Sequence, residues 1–182
     1  TSMSGPCVAG SAMVLVDYYG KRFPGQYMRA STLKSLIIHT ADDIGNPGPD
    51  YFYGWGLMDT KEAADQIKRH ADKESYRGIL EDRLTTVTPS KTHTFTWNGT
   101  DPIRVTLGWT DPAGNTSAAN DNRARDLVND LNLTVTGPTG TTHRPFVMPY
   151  VGNWTNAMLS ANAVNGVNTV DNVEQALIST PP

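Results

Sequence analysis

The 182-residue sequence is poor in cysteine, in basic charge and in long apolar runs. Cys7 is its single cysteine, so no disulfide can form within the chain. The formal net charge is −3, which gives no sign of the basic surface that nucleic acid needs as a partner. No apolar run reaches the roughly 18 residues that a membrane-spanning helix requires, so we expect no membrane partner. These absences leave a globular protein, long enough for one large domain or two small ones.

The hydrophobic pattern of the first 74 residues is helical. Apolar residues recur at helical spacing from Val8 to Tyr19, and Gly20 is the expected end of that helix. A second helix is predicted over about 31–39, with Ser31 as its cap, and a third over about 60–70. The segment between them is rich in glycine, proline and aspartate, which predicts a loop.

After residue 75 the pattern changes to that of strands. Apolar and polar residues alternate in HTFTWNG, in PIRVTLGWT and in LNLTVTGPTG, and turn sequences separate these segments. The alternation favours an antiparallel β sandwich of the jelly-roll type. We therefore predict a boundary near residue 75, with one unit over 1–74 and an all-β unit over 75–182.

The stretch TSMSGPCVAG places Ser2 immediately before the first helix. Taken alone, a serine in that position is most often a helix cap. It is also where a nucleophile would profit from backbone N–H groups and from the helix dipole, which stabilise negative charge on a reaction intermediate. The stretch resembles the serine-nucleophile signature of subtilisin-like proteases, with Cys7 at a position where that family often has histidine.

Two further segments resemble the same family, in the same order. YGWGLMDTKEA is similar to the stretch that closes the subtilisin-like catalytic domain and leads into its last helix. LKSLIIHTADDIG is similar to the helix and loop that precede that stretch. The resemblance implies that residues 1–74 are the C-terminal part of an α/β catalytic domain, with Ser2 as nucleophile and as backbone oxyanion donor.

The β region resembles the C-terminal jelly-roll domain of one branch of this family, the oxidation-resistant alkaline proteases, and is akin to the P domain of proprotein convertases. The segments that carry this likeness are DLVNDLNLTVTGPTG and DNVEQALISTPP. The resemblance implies a structural calcium ion, for which carboxylate and amide oxygens are suitable ligands. The candidate ligands are Asp126, Asp130, Asn132, Asp171 and Glu174. The alternative for each is a hydrogen-bonding role in a turn or cap.

The family's catalytic triad runs in the order Asp, His, Ser, so its Asp and His would lie upstream of Ser2. The four histidines of the chain, His39, His70, His93 and His143, are interpreted as surface or cap residues. We therefore expect a serine endopeptidase in the intact protein and an inactive chain on its own. The alternative is a non-catalytic structural or assembly protein that retains a protease-derived scaffold. A carbohydrate-binding jelly roll is a weaker third option.

The resemblance also implies the partners and the location of the protein. The partners would be protein or peptide substrates and the upstream remainder of the catalytic domain. The expected location is extracellular. The β unit is expected to stop before its last strand, which would leave an unpaired sheet edge.

Overall fold

A computed structural model describes residues 2–75, 77–115, 125–148 and 155–181. It has a mixed α/β architecture, with three long helices in the first part and short strands in the second. In chain order the elements are α1 (Ser4–Arg22), α2 (Ala30–Thr40), α3 (Thr60–Ala71), β1 (Ile103–Gly108), β2 (Val135–Thr136), β3 (Thr142–His143), β4 (Phe146–Val147), α4 (Asn156–Leu159), β5 (Val164–Asn165) and β6 (Val173–Ile178). The three long helices lie where the helical periodicity predicts them.

Two of the predicted helix boundaries are wrong. α1 continues past Gly20 to Arg22, because a glycine costs a helix little and Lys21 pairs with Asp17 one turn earlier, at 2.7 Å. α2 begins one residue before Ser31, and its N-cap is Arg29, which makes no side-chain cap hydrogen bond. The preference of serine for helix caps therefore does not by itself fix the residue at which α2 begins.

The start of α3 shows a complete cap. The Asp59 carboxylate accepts a hydrogen bond from the Glu62 backbone N–H at 2.8 Å. Glu62 also adds negative charge to the first turn, and Lys68 and Arg69 add positive charge to the last. Each charge opposes the partial charge at its end of the helix, which stabilises the helix.

The hydrophobic core lies where the three long helices meet. Leu15 and Tyr19 of α1, Leu36 of α2, and Ala63 and Ile67 of α3 form one buried cluster. Leu15, Ala63 and Ile67 are fully buried. Burial of a leucine or isoleucine side chain stabilises a fold by about 1.5–3 kcal/mol, so this cluster holds α1 and α2 against α3.

α1 buries only one side in this core. Val8, Met13, Val14 and Val16 are each more than 40% exposed, and Met13 reaches 75%. A helix with apolar residues on every side is characteristic of the interior of a larger protein. α1 therefore carries more apolar surface than the described residues cover.

The loop between α2 and α3 is tightly closed. Asp42 and Leu57 exchange two backbone hydrogen bonds, at 2.8 and 2.9 Å, so its two ends lie side by side. Asp50 is buried and accepts hydrogen bonds from the N–H groups of Tyr53, Asn46 and Phe52. These bonds, that of Tyr53 first, lower the pKa of the Asp50 carboxyl. The loop is therefore an ordered part of the first unit.

The described strands form three two-stranded antiparallel sheets. β1 pairs with β6 from Ile103 opposite Ile178 to Gly108 opposite Val173. β2 pairs with β3, and β4 pairs with β5. β1 confirms the strand predicted in PIRVTLGWT, whereas HTFTWNG forms no strand. The jelly-roll sandwich stays a prediction.

The β1–β6 sheet packs directly on α2. β6 is the most buried strand, with Val173, Ala176 and Ile178 inside. Across the described part of the chain, no helix is long and apolar enough to cross a membrane.

Candidate functional site

Ser2 lies exposed in the turn that leads into α1. The N-cap of α1 is Met3, which makes no side-chain cap hydrogen bond, and the first turn contains no acidic residue. The alternative interpretation made Ser2 the helix cap. In the structure the N-cap is the next residue, Met3. A developing negative charge beside Ser2 would be stabilised by the N–H groups and the dipole of this helix end.

The four histidines lie at other places in the fold. His39 is in the last turn of α2, His70 is in the last turn of α3, and His143 is in β3. His93 is exposed in the segment before β1. His39 and His70 already have hydrogen-bond partners, Thr106 and the Ile79 backbone N–H respectively.

His39 departs from the surface or cap role that its sequence position predicts. Its ring is partly buried between α2 and β1, and its Nδ1 lies 3.0 Å from the Thr106 hydroxyl. Burial, followed by the charges of Arg104 and Arg77, lowers the pKa of His39 to about 4, against an opposing effect of Glu62. The His39 ring, which lies where α2 meets β1, is therefore neutral at physiological pH.

An open groove of about 400 Å³ runs beside the start of α1. Ser4, Cys7 and Val8 form one wall, Ile37 and Ile38 of α2 form a second, and the loop around Gly56 forms the third. Cys7 is a free, exposed thiol. The groove joins the exposed apolar side of α1 to the neighbourhood of Ser2.

Two of the five candidate calcium ligands lie together in the β region. Glu174 is 1% exposed, and its Oε2 accepts a hydrogen bond from the Leu133 N–H, while its Oε1 is buried without a hydrogen-bond partner. Asp130 Oδ2 lies 3.2 Å from Arg125, and its Oδ1 is likewise buried without one. Burial raises the pKa of Glu174, as do the charges of Asp130 and Asp171, against the Leu133 bond. Unsatisfied buried carboxylate oxygens suit a cation.

The other three candidate calcium ligands are more exposed than Asp130 and Glu174. Asp171 is exposed and accepts a hydrogen bond from Asn168 at 2.8 Å, as a turn residue does. Asp126 and Asn132 are exposed. Within the described ranges, no three Asp, Glu, His or Cys side chains come together as a metal site. A cation held here would need backbone carbonyl or water oxygens in addition to Asp130 and Glu174.

The side chains that join the two parts of the chain were not identified from the sequence. Arg104 donates to the His39 backbone carbonyl at 2.6 Å, and Gln175 donates to Thr106 Oγ1 at 2.9 Å. Lys34 donates to the Asn172 side chain at 2.5 Å. The partners in each contact are more than 60 residues apart along the chain, and no local sequence pattern predicts these contacts.

The first part of the chain is similar to parts of several longer bacterial proteins. An extracellular serine protease of Serratia marcescens is 39% identical over 74 residues, which is 41% of this chain and 6% of that protein. The Neisserial autotransporter lipoprotein NalP of Neisseria meningitidis is 38% identical over 63 residues, 35% of this chain and 5% of that protein. Serotype-specific antigen 1 of Mannheimia haemolytica is 35% identical over 63 residues, 35% of this chain and 6% of that protein.

The chain thus spans about a twentieth of the length of these relatives. Residues 1–56 match the Subtilase family, peptidase S8, and this range runs from the Ser2 turn through α1 and α2 to Gly56.

Proposed function

We propose that this chain is the C-terminal part of a subtilisin-like serine endopeptidase in which Ser2 is the nucleophile. The observation that carries the proposal is the subtilase match over residues 1–56, which includes an exposed Ser2 in the turn that leads into α1. A serine in this position can reach a substrate, and the helix end can stabilise the charge that forms on it.

In the proposed reaction, Ser2 Oγ attacks the carbonyl carbon of the scissile peptide bond. A histidine from the upstream part of the protein accepts the hydroxyl proton and then donates it to the leaving amine, and an upstream aspartate orients that histidine. The Ser2 backbone N–H donates to the oxyanion of the tetrahedral intermediate. Since serine without a base is a poor nucleophile, the 182-residue chain alone should be inactive.

The upstream remainder of the catalytic domain is the proposed partner of α1. The exposed apolar side chains of α1 and the 400 Å³ groove beside it support this proposal, because a large exposed apolar patch marks a surface that another part of a protein covers. Gly5 and Gly10 also support it. A Cβ at either position would meet nothing within 4 Å, so the bare helix surface there leaves room for the closely packed neighbour that we propose.

The proposed domain division is a catalytic part over 1–74 and a β domain of the jelly-roll, P-domain-like type over 75–182. The β1–β6 pair would lie at the centre of the sandwich.

We propose that calcium binds at Asp130 and Glu174, with Asp171 nearby, and stabilises this domain. The unpartnered oxygens Asp130 Oδ1 and Glu174 Oε1 support the site. A bound calcium would supply a positive charge to these two unpartnered oxygens, in addition to the Arg125 guanidinium that lies beside Asp130 Oδ2.

The proposed substrates are proteins or peptides, and the proposed location is extracellular. The name of the Serratia relative, an extracellular serine protease, and that of NalP, an autotransporter lipoprotein, support both. The net charge of −3 favours neither nucleic acid nor an anionic membrane surface as a partner.

The test is peptide hydrolysis by the longer protein that we propose contains this chain. Ser2→Ala should lower kcat by at least about 10⁴-fold, because it removes the nucleophile. Ser4→Ala is the matched control, since Ser4 lies two residues further on, at the first position of α1, and should retain most activity. Full activity in Ser2→Ala would refute the assignment of the nucleophile. No hydrolysis in the unsubstituted protein would favour the non-catalytic scaffold.

A further inference from the structure

The contact between α2 and the β1–β6 sheet is built around the side chain of one histidine. Arg104 of β1 donates to the backbone carbonyl of His39, and the His39 ring lies against Thr106 on the same strand. Gln175 of β6 donates to the same Thr106 hydroxyl. The two strands and the end of α2 are therefore joined through a polar cluster that includes His39, beside the separate contact between Lys34 and Asn172.

The charges around the His39 ring favour its neutral form. Arg104 of β1 and Arg77, in the segment after α3, are the cations that act on it, and Glu62 of α3 is the opposing anion. Glu62 is itself paired with Arg69, at 2.5 Å, so much of its charge is already compensated. A proton on His39 would place a third positive charge next to two arginines, in a partly buried position.

The hydrogen bonding of the cluster also depends on a neutral ring. A threonine hydroxyl has one hydrogen to donate, and Thr106 Oγ1 already accepts from Gln175. All three groups are satisfied when Thr106 donates that hydrogen to an unprotonated His39 Nδ1. Protonation turns Nδ1 into a donor and reverses this bond: the Thr106 oxygen then accepts from both Nδ1 and Gln175, and the Thr106 hydrogen must find another acceptor.

A second histidine, His70, binds the segment that connects α3 to the β strands. His70 Nδ1 accepts a hydrogen bond from the Ile79 backbone N–H at 3.2 Å, and the Ile79 side chain packs against the helical core. The His70 ring also lies 5.3 Å from the ring of Phe23, and burial lowers its pKa. Nearby, Asp72 pairs with Arg22 across the ends of α1 and α3, and it also pairs with Lys68 of α3. A protonated Nδ1 cannot accept, so protonation must break the bond to Ile79.

We propose that His39 and His70 form an acid-sensitive clasp, which holds the β strands and the segment 77–81 on the helices at neutral pH and releases them in acid. The buried cluster of the helical core contains no histidine, Asp or Glu side chain, and its tyrosine Tyr19 stays neutral in acid, so this core should persist when the clasp opens. The clasp is a conformational device that goes beyond the proposed protease activity and does not depend on Ser2.

The size of the effect follows from the His39 environment. A histidine with a pKa of about 4 in the closed form and an ordinary value of 6.5 in the open form favours the closed form fully above pH 6.5. Stability is then lost as the pH falls from 6.5 towards 4, because the open form takes up protons first. The closed-to-open ratio should fall by about 100-fold between pH 7 and pH 4 from this residue alone.

The test is hydrogen exchange of the 182-residue chain at pH 7 and pH 4, corrected for the intrinsic pH dependence of exchange. Amides of the 77–81 segment and of β1 should lose protection in acid, while the buried turn of α1 around Leu15 keeps it. The variant His39→Asn/His70→Asn retains a side-chain amide near each Nδ1 position but cannot titrate there, so the acid loss of protection that the clasp causes should disappear. Glu81, whose carboxylate binds Thr32 and Arg29, is a further titratable group on the 77–81 segment, and it is the same in the parent and in the variant. His93→Asn is the matched control, because His93 is exposed, and it should behave as the parent does.

Equal protection of the junction at both pH values in the parent would overturn the proposal. So would an acid loss of protection that persists in the double variant. If the double variant fails to fold, the ring protons of the parent decide by NMR. A His39 pKa well below 6.5 that coincides with junction opening supports the clasp, and a pKa near 6.5 overturns it.

Discussion

Replacing Leu15 with alanine should destabilise the chain, while replacing Met13 in the same helix should leave it almost unchanged. Leu15 is fully buried against α3, whereas Met13 is 75% exposed. Deletion of a buried leucine side chain costs about 2–5 kcal/mol of unfolding free energy, including the cavity that it leaves. An exposed position costs within about 0.5 kcal/mol. In thermal unfolding, Leu15→Ala should lower Tm by roughly 5–20 °C.

The same pair of variants tests whether α1 is covered in the longer protein. If the upstream catalytic domain packs on the exposed side of α1, Met13 becomes buried there, and Met13→Ala should cost about 2–5 kcal/mol in that context. Leu15→Ala should remain costly in both. Tyr27→Ala is the control, since Tyr27 is 90% exposed and lies outside α1. Denaturant unfolding followed by circular dichroism measures all three. A Met13→Ala variant that is equally neutral in both contexts would refute the proposed cover of α1.

Two other substitutions test the loop and the calcium proposal. Gly56 has φ +104° and an added Cβ would lie 2.1 Å from the Asp42 carbonyl oxygen, so Gly56→Ala should cost about 1–3 kcal/mol in denaturant unfolding. Gly20→Ala, in open space within α1, should instead stabilise by about 0.5–1 kcal/mol, and equal effects would contradict the loop geometry. Calcium at 100 times its Kd should add about 2.7 kcal/mol to the stability of the parent and of exposed Glu74→Gln, but not to that of Glu174→Gln. A calcium effect that survives in Glu174→Gln would place the ion elsewhere.

The helices could be predicted from the sequence because their signals are local. Apolar residues one turn apart identified α1, α2 and α3, and the charges of α3 follow the helix dipole. Their exact ends depend on tertiary contacts. Ser31 favours a cap by residue type, but packing starts α2 at Ala30. The periodicity that identified α1 could not tell which side is buried, because Val8 and Val16 fit the same pattern as Leu15 and yet are exposed.

The contacts of the second part could not be predicted, because they join residues far apart in the chain. The pairing of β1 with β6 brings Ile103 opposite Ile178, and Leu133 donates to Glu174 across 41 positions. The alternation of apolar and polar residues predicted a strand at 93–99, but none of the described strands lies there. Among the candidate calcium ligands, residue type does not show which side chains are buried, and burial distinguishes Glu174 from the exposed Asn132.

The central claim is that Ser2 is the nucleophile of a serine protease whose other catalytic residues lie outside this chain. The most direct measurement is reaction of the longer protein with a fluorophosphonate probe, followed by mass-spectrometric location of the adduct. We predict a single adduct on Ser2, its loss in Ser2→Ala, and no labelling of the 182-residue chain alone, because we propose that the base for Ser2 lies upstream. An adduct on another residue, or none on a longer protein that still hydrolyses peptides, would contradict the account.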